Sequence, residues 1–346
     1  MAKERDLVFD ALKIFAIFLV LWGHCIAHLT STEATTDPTF LFIYSFHMPL
    51  FMAMVGYFSG SALKLTFREL VLSKGRQLIV PSVVIGSAYL IEGLVFNEVA
   101  KGVATFIDMP WFLKCTFLCF ILYYACSHIF RSQTLAVIIG LLISLMLGRF
   151  NFMWMYPCFI FGVILRRNFS WIKSNAGILA LFSGIIFATM LSFWGADFWI
   201  KRDKGAILSS LPDMTLFYDW FYHYAFKNVI GLAGTLFFIT LFEYLSDKIK
   251  IANIGRTICG WGSQTLGIYL YQTVIIEILM ARWIKFDSMS PLIFDFIVTP
   301  LISIAVLLLC LWLISLTKKS RWLSLFLLGM PLKDKNDISK PTSSSR

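Results

Sequence analysis

The first apolar segment of the chain, residues 9–29, carries four ionisable side chains among Phe, Ile, Leu and Val. At about 100° per residue these four fall within roughly 60° of one helix face. They are Asp10, Lys13, His24 and His28. A charged group in hydrocarbon costs at least about 2.5–3.5 kcal/mol, so such groups normally line a cavity or a site. The segment predicts a membrane-spanning helix with a functional polar face. A structural alternative is an Asp10–Lys13 pair at the cytoplasmic interface, with two packing histidines above it.

The rest of the chain has the composition of a membrane protein. Hydrophobic residues make up 58% and charged residues 14%, whereas soluble domains have about 25% charged residues. With about 20 residues per span, the sequence predicts an all-α polytopic integral membrane protein with about ten helices. The expected spans are 9–29, 40–63, 79–97, 111–130, 134–148, 152–166, 177–195, 224–245, 260–281 and 292–316. We expect a membrane domain at 1–320 and a largely disordered cytoplasmic tail at 321–346, because its end is rich in Lys, Asp, Ser and Pro.

The net charge of +10 fits the positive-inside rule and is no signal for nucleic acid. Most of the 30 Lys and Arg residues fall in segments that a cytoplasmic N-terminus places inside. Both termini are therefore expected in the cytoplasm, and the protein in the cell (inner) membrane as a multi-pass protein. All seven cysteines lie within apolar runs without paired spacing, so we expect neither a disulfide framework nor a metal site.

Further polar side chains lie within the apolar spans. His47 in the second span is expected at a depth similar to that of His24, so the two imidazoles can face one cavity. Gly56 and Gly60 form a small-residue face suited to close helix contact. Five other polar residues line the same cavity or lie at interfaces, two alternatives that the sequence leaves open: Glu92, Lys114, Lys227, Asn228 and Glu277. Aromatic and acidic residues in the loop 196–223 suit a carbohydrate surface, although aromatic residues also gather at membrane interfaces.

The first inner loop carries four positive charges, Lys64, Arg68, Lys74 and Arg76, shortly before Pro81. Charge alone favours a simple interpretation, namely positive-inside topology with headgroup contact. The functional interpretation is a binding site for an anionic cytoplasmic ligand such as a nucleotide phosphate.

Several of these motifs together resemble membrane acyltransferase family 3, in the branch of fucose 4-O-acetylase-like surface-sugar acetylases. The motifs are Asp10-x2-Lys13-x10-His24, Tyr44-Ser-Phe-His47-Met-Pro-Leu-Phe, Lys74-x-Arg76-x4-Pro81, Trp111-Phe-Leu and Gly262-Ser-Gln-Thr-Leu-Gly-Ile-Tyr269-Leu. The resemblance runs from about residue 5 to residue 280, while the middle of the chain matches only in being hydrophobic. It implies transfer of an acyl group, usually acetyl, from cytoplasmic acyl-coenzyme A to a sugar hydroxyl of a surface polysaccharide or its lipid-linked precursor. Acetyl-CoA is then a co-substrate, and no permanently bound cofactor is expected.

The resemblance also implies roles for individual residues. Lys13 and His24 match the family's basic-x10-His motif, although many members have Arg where this chain has Lys13. A histidine often follows the family's Ile-Tyr-Leu segment, whereas this chain has Gln272 there, which cannot take a proton. We therefore place Gln272 with the expected substrate-binding residues, which also include Tyr44, Trp22 and Tyr269.

Acyl transfer to a hydroxyl needs a base near neutral pH, and the ordinary pKa of histidine is about 6.5. We expect His24 to be the base and His47 a second proton handler or an oxyanion donor, and the two roles can be exchanged. Asp10 is expected to orient Lys13. The coenzyme A phosphates are expected to bind the basic residues of the first inner loop, Lys64, Arg68, Lys74 and Arg76.

A second class of function fits the same polar face. A proton-coupled transporter or polysaccharide exporter would use Asp10, Lys13, His24 and His28 as a proton relay. The basic inner loop discriminates the two classes, because an acyltransferase needs a coenzyme A site there and a carrier does not.

Overall fold

The computed structural model describes residues 7–200, 214–246 and 260–331, and these contain helices but no strand. The helices, in chain order, are α1 Leu7–His28, α2 Pro38–Tyr57, α3 Phe67–Val95, α4 Val99–Asp108, α5 Trp111–Ile129, α6 Gln133–Ser144, α7 Phe152–Arg167, α8 Phe169–Ser174, α9 Ala176–Leu191, α10 Ala196–Ile200, α11 Met214–Tyr244, α12 Trp261–Trp283, α13 Pro291–Thr317 and α14 Arg321–Leu328. Each of the ten expected spans coincides with one of these helices. The predicted all-α, polytopic fold is thus confirmed.

Seven helical stretches within the described ranges are long and apolar enough to cross a membrane. They are Leu7–His28, Pro38–Lys64, Phe67–Val95, Val99–Ile129, Phe217–Tyr244, Trp261–Trp283 and Pro291–Thr317. The three other expected spans correspond to α6, α7 and α9, which have 12, 16 and 16 residues. These are shorter than the roughly 20 residues that a perpendicular span needs.

Helix α1 lies at the centre of the bundle and packs against α2, α12 and α13. Glycines allow a very close approach between α2 and α7. A Cβ atom on Gly56 would collide with the carbonyl of Phe159, and one on Gly162 would collide with the carbonyl of Ala53. Gly60, expected on the same small-residue face, has no neighbour within 4 Å of its Cβ position. The close contact therefore uses one glycine from each helix.

Three helices contain a π-helical segment, in which the backbone hydrogen bonds skip one residue more than in an α-helix. These segments are Gly75–Ile79 in α3, Thr273–Met280 in α12 and Phe294–Val298 in α13. Such segments change which side chains share a face and are frequent at functional sites. The first two carry side chains of the cavities described below.

The C-terminal part of the membrane domain extends beyond the expected boundary at residue 320. The Ser320 side chain caps α14 by accepting a hydrogen bond from the Leu323 backbone N–H, and Gly329 ends that helix with φ of 63°. Leu328 is buried, and α14 packs against α3 and α12. This apolar helix corrects the expectation of a largely disordered segment beginning at 321. The polar end of the expected tail, 332–346, lies outside the described residues.

Candidate active site

A cavity of about 1170 Å³ opens at the end of the molecule where α1 ends and α2 begins. The positive-inside rule predicts that this end faces the outside, and we therefore call the space the outer cavity. Its lining residues come from α1, α2, α3, α4, α5, α7, α11 and α12, together with the loops between them. They include His24, His28, Tyr44, His47, Tyr89, Glu92, Trp111, Trp154, Lys227, Asn228, Tyr269, Glu277 and Arg282.

His24 faces a buried carboxylate in this cavity. Its Nδ1 atom lies 3.1 Å from Glu277 Oε1, and the two side chains are only 15% and 6% exposed. Neither of these two atoms has an aligned hydrogen-bond partner among the described residues, so the contact is close but not a well-directed hydrogen bond. The hydroxyl of Tyr89 donates to Glu277 Oε2 at 2.7 Å and fixes the carboxylate. This arrangement gives His24 the orienting acid that a catalytic base requires.

His47 is almost fully buried at the same cavity. Its Nδ1 atom lies 2.7 Å from the carbonyl oxygen of Ile43. Because a carbonyl only accepts, Nδ1 carries the proton, and Nε2 of the neutral ring carries a lone pair. A neutral His47 can thus accept a proton through Nε2 but cannot donate to an oxyanion there. The Tyr44 ring packs edge-on against His47, with the centroids 4.5 Å apart.

Charged pairs surround the mouth of the outer cavity. Arg282 lies 3.6 Å from Glu92 and 3.3 Å from Glu98. Hydrogen bonds from Lys101 and then Arg282 hold the pKa of the Glu98 carboxyl below its usual range. On the opposite wall, the Lys227 ammonium lies 4.6 Å from the centre of the Trp154 ring. The outer cavity therefore combines acids, cations and aromatic rings.

A second, smaller pocket lies at the other end of the bundle, and we call it the inner pocket. It has a volume of about 350 Å³ and is lined by Ser73, Arg76, Gln77, Ser263, Gln264, Leu266, Gly267, Ile314, Lys318, Leu328, Gly329, Met330 and Pro331. These described lining residues include two cations and no acid. Lys318 donates to Gln264 at 3.1 Å, while Arg76 Nε is buried without a hydrogen-bond partner in the described ranges. The inner pocket is suited to an anion.

The four basic residues of the first inner loop do not act together. Only Arg76 lines the inner pocket. The Lys74 ammonium instead donates to Gln77 at 3.1 Å and lies 4.3 Å from the centre of the Phe120 ring. Lys64 and Arg68 are exposed and line neither cavity. The structure therefore does not bring the four expected phosphate ligands together at one pocket.

Asp10 and Lys13 also lie apart from the two histidines. Their side chains are 3.1 Å apart, and the Lys13 ammonium lies 4.6 Å from the centre of the Phe58 ring. Neither residue lines the outer cavity. The eleven residues from Lys13 to His24 rise about 16 Å along a helix, so a shared face does not mean a shared site. The structure therefore places Asp10 and Lys13 as an ion pair at the inner end of α1, away from His24.

Two of the four expected substrate-binding residues lie elsewhere. Tyr44 and Tyr269 line the outer cavity. Trp22 does not, since its indole N–H donates to the carbonyl of Asp295 at 2.9 Å. Gln272 is fully buried and donates to Thr273 Oγ1 at 3.0 Å. Trp22 and Gln272 therefore pack within the helix bundle.

The remaining polar residues divide between the two expected alternatives. Glu92, Lys227, Asn228 and Glu277 line the outer cavity. Lys114 instead donates to three carbonyls at the end of α4, the shortest at 2.7 Å to Ile107. Of the expected carbohydrate surface at 196–223, residues 201–213 lie outside the described ranges. Tyr89 and Arg282 were not expected at this cavity from the sequence. The one indication there was that each is a polar residue among apolar ones.

Comparison with known proteins identifies the family of the chain. A family model described as an acyltransferase domain matches residues 6–337. The chain belongs to this acyltransferase family. It is also 28% identical over 239 residues to Nodulation protein NolL of Sinorhizobium fredii, and 34% identical over 132 residues to Nodulation protein NolL of Mesorhizobium japonicum.

The family resemblance expected from the motifs is thereby confirmed across nearly the whole chain. The similarity to the two nodulation proteins is less extensive. It covers 63% of the chain and 63% of the first relative, and 35% of the chain and 35% of the second. The matches thus span less than two thirds of the length of these relatives. No solved structure matches this acyltransferase chain.

Proposed function

We propose that the protein transfers an acyl group, in the first place acetyl, from cytoplasmic acyl-coenzyme A to a hydroxyl of a surface polysaccharide or its lipid-linked precursor. The observation that carries this proposal is the set of His24, Glu277 and Tyr89 at one large cavity. The family motif, the orienting carboxylate and the space for a substrate coincide at His24. The match of nearly the whole chain to an acyltransferase family supports the reaction class.

The chemistry follows from the tautomer that Glu277 favours. A carboxylate next to Nδ1 favours a proton on that nitrogen and leaves the lone pair on His24 Nε2. Nε2 takes the proton of the acceptor hydroxyl as its oxygen attacks the thioester carbonyl. The tetrahedral intermediate then collapses, the C–S bond breaks, and the departing thiolate receives the proton. The products are an ester and free coenzyme A. Glu277 stabilises the imidazolium that forms in between.

The acceptor would bind in the outer cavity. Its volume of about 1170 Å³ exceeds the roughly 300–1,000 Å³ of ordinary small-molecule pockets. Trp111, Trp154 and Tyr269 offer ring faces, and the paired charges at the mouth offer hydrogen bonds to hydroxyl groups. Such a lining suits a sugar of more than one unit better than a small apolar substrate.

The donor would bind by its phosphates at the inner pocket. Arg76 and Lys318 supply positive charge there, with no acid among the described lining residues. The linings of the two cavities approach each other on α12, where Gly267 lines the inner pocket and Tyr269 lines the outer cavity. From Gln264 to Glu277 the helix rises about 20 Å, so a slim pantetheine arm would have to span that distance between helices.

The test is acetyl transfer by the purified full-length protein in liposomes, with labelled acetyl-CoA and surface glycan as substrates. His24→Ala should lower the rate by about 10²–10⁴-fold, the usual contribution of a general base. His128→Ala is the matched control, because His128 bonds the Tyr124 carbonyl at 2.9 Å and lies outside both cavities. Near-normal transfer by well-inserted His24→Ala protein would exclude the proposed base.

A further inference from the structure

Two histidines one helical turn apart face the same carboxylate. His24 and His28 are four residues apart on α1, and their rings are nearly parallel, with centroids 5.6 Å apart and an angle of 11°. Glu277 approaches them from α12. One ligand atom from each of the three side chains can be chosen so that all lie within 4.8 Å of one another. An i, i+4 pair of histidines on one helix face is also the arrangement by which many helices bind zinc.

The polar atoms at this point make a close but poorly directed contact with each other. His24 Nδ1 and Glu277 Oε1 are both buried, and neither has a hydrogen-bond partner in the described part of the chain. A buried polar group without a partner costs about 1–3 kcal/mol. The other carboxylate oxygen is held by the Tyr89 hydroxyl at 2.7 Å. Carboxylates that bind metal ions are commonly held by a hydrogen bond from a second residue, as Tyr89 holds Glu277 here.

The donor set selects one class of ion. Two imidazole nitrogens and one carboxylate are the protein ligands of open zinc sites, in which water or a substrate takes the fourth position. At Zn–N and Zn–O distances of about 2.0–2.1 Å, tetrahedral ligand atoms are roughly 3.3 Å apart. The His24–Glu277 separation of 3.1 Å is already close to this value. His28 would complete the set by a small side-chain rotation, and the outer cavity leaves room for the fourth ligand.

We propose that His24, His28 and Glu277 bind a zinc-class divalent ion reversibly at the wall of the outer cavity, and that the bound ion inhibits acyl transfer. The inhibition rests on the proposed function, whereas the binding does not. With an ion on His24 Nδ1, the proton of the neutral ring must be on Nε2. That nitrogen can then no longer accept the proton of the acceptor hydroxyl. External zinc would thus switch the enzyme off by occupying its base.

The binding test uses the full-length protein in detergent, stripped with a chelator and titrated with Zn²⁺ in a calorimeter. Wild-type protein should bind one ion at this site, and His28→Gln should weaken that binding at least about tenfold. His128→Gln is the matched control and should bind as the wild type does, because His128 lies on α5 outside the cavity. Equal Zn²⁺ affinity of His28→Gln and wild type would overturn the proposal.

The activity test compares each variant with its own metal-free rate. Micromolar Zn²⁺ should inhibit wild-type acetyl transfer, and a chelator should restore it. The inhibition should be lost in His28→Gln and kept in His128→Gln. Loss of transfer on chelation would overturn the inhibitory effect, because the ion would then be required. If no acetyl transfer occurs in any protein but Zn²⁺ binding still depends on His28, the metal site holds and the proposed function fails.

Discussion

The outer cavity and the inner pocket are opposite in character, although two helices, α3 and α12, line both. The outer cavity is large, contains acids as well as cations, and is faced with aromatic rings. The inner pocket is about 350 Å³, and its described lining has Arg76 and Lys318 but no acid. A lining of mixed charge and aromatic rings suits a neutral, hydroxyl-rich ligand, whereas a purely cationic lining suits phosphate. The difference shows how one bundle can serve two unlike substrates without mixing their sites.

The largest expected effect concerns the side from which each substrate enters. In sealed liposomes of known orientation, acetyl-CoA should support transfer only from the face of the inner pocket, and the glycan only from the face of the outer cavity. The physical reason is that neither charge pattern suits the other ligand. Product formation is measured with each substrate confined to one side. Equal activity with both substrates on the inner face would contradict the assignment of the two substrates to different cavities.

The next largest effect tests the acid in the outer cavity. Glu277→Gln should lower kcat by about a hundredfold, at the low end of what acid–base catalysis contributes, because the amide cannot stabilise an imidazolium. Glu92→Gln is the control: it lines the same cavity but pairs with Arg282 at 3.6 Å. Steady-state kinetics at saturating acetyl-CoA measure both. A similar fall in kcat for the two variants would mean that Glu277 has no special relation to His24.

A smaller effect is expected at the inner pocket. Arg76→Ala and Lys318→Ala should each raise KM for acetyl-CoA by about tenfold, as loss of one charge-assisted hydrogen bond predicts, with little change in kcat. Binding shared by ground and transition states affects KM and not kcat. Lys74→Ala is the control, because the Lys74 ammonium lies against the Phe120 ring. A larger increase in KM for Lys74→Ala than for Lys318→Ala would indicate that the donor binds at the first inner loop and not at the inner pocket.

The smallest effect concerns the contact between the loops that follow α1 and α12. The backbone N–H of Ser31 donates to Asp287 at 2.6 Å and holds the pKa of this carboxyl below its usual range. A carboxyl with a lowered pKa stabilises the fold above its unfolded value of about 3.9 and loses this contribution as the pH falls through the folded value. Asp287→Asn should therefore lower Tm slightly at pH 7, and this difference should shrink as the pH falls below the ordinary carboxyl pKa of about 3.9. A Tm difference that is independent of pH would contradict this.

Much of the fold and part of the site could be predicted from the sequence. Apolar length gives the helices directly, and the similar depth of His24 and His47 follows from their distance to the span ends. The separation of Lys13 from the two histidines is less evident in the pattern, because residues on one helix face can lie at opposite ends of the helix. The set of residues around His24 could not be predicted. Glu277 and Tyr89 are more than 180 residues apart in the sequence, and only the packing of the helices brings them together.

The π-helical segment Thr273–Met280 begins directly after Gln272 and contains Glu277. One wide turn of this kind amounts to a residue inserted into an α-helix, and every later side chain is rotated by about 100°. The direction of the Glu277 side chain thus depends on a local change in helical geometry that the amino-acid sequence does not reveal. Two homologues that differ by one residue here would present different side chains to the same cavity. A single insertion or deletion in α12 could therefore exchange the acid that serves His24 while leaving the rest of the bundle in place.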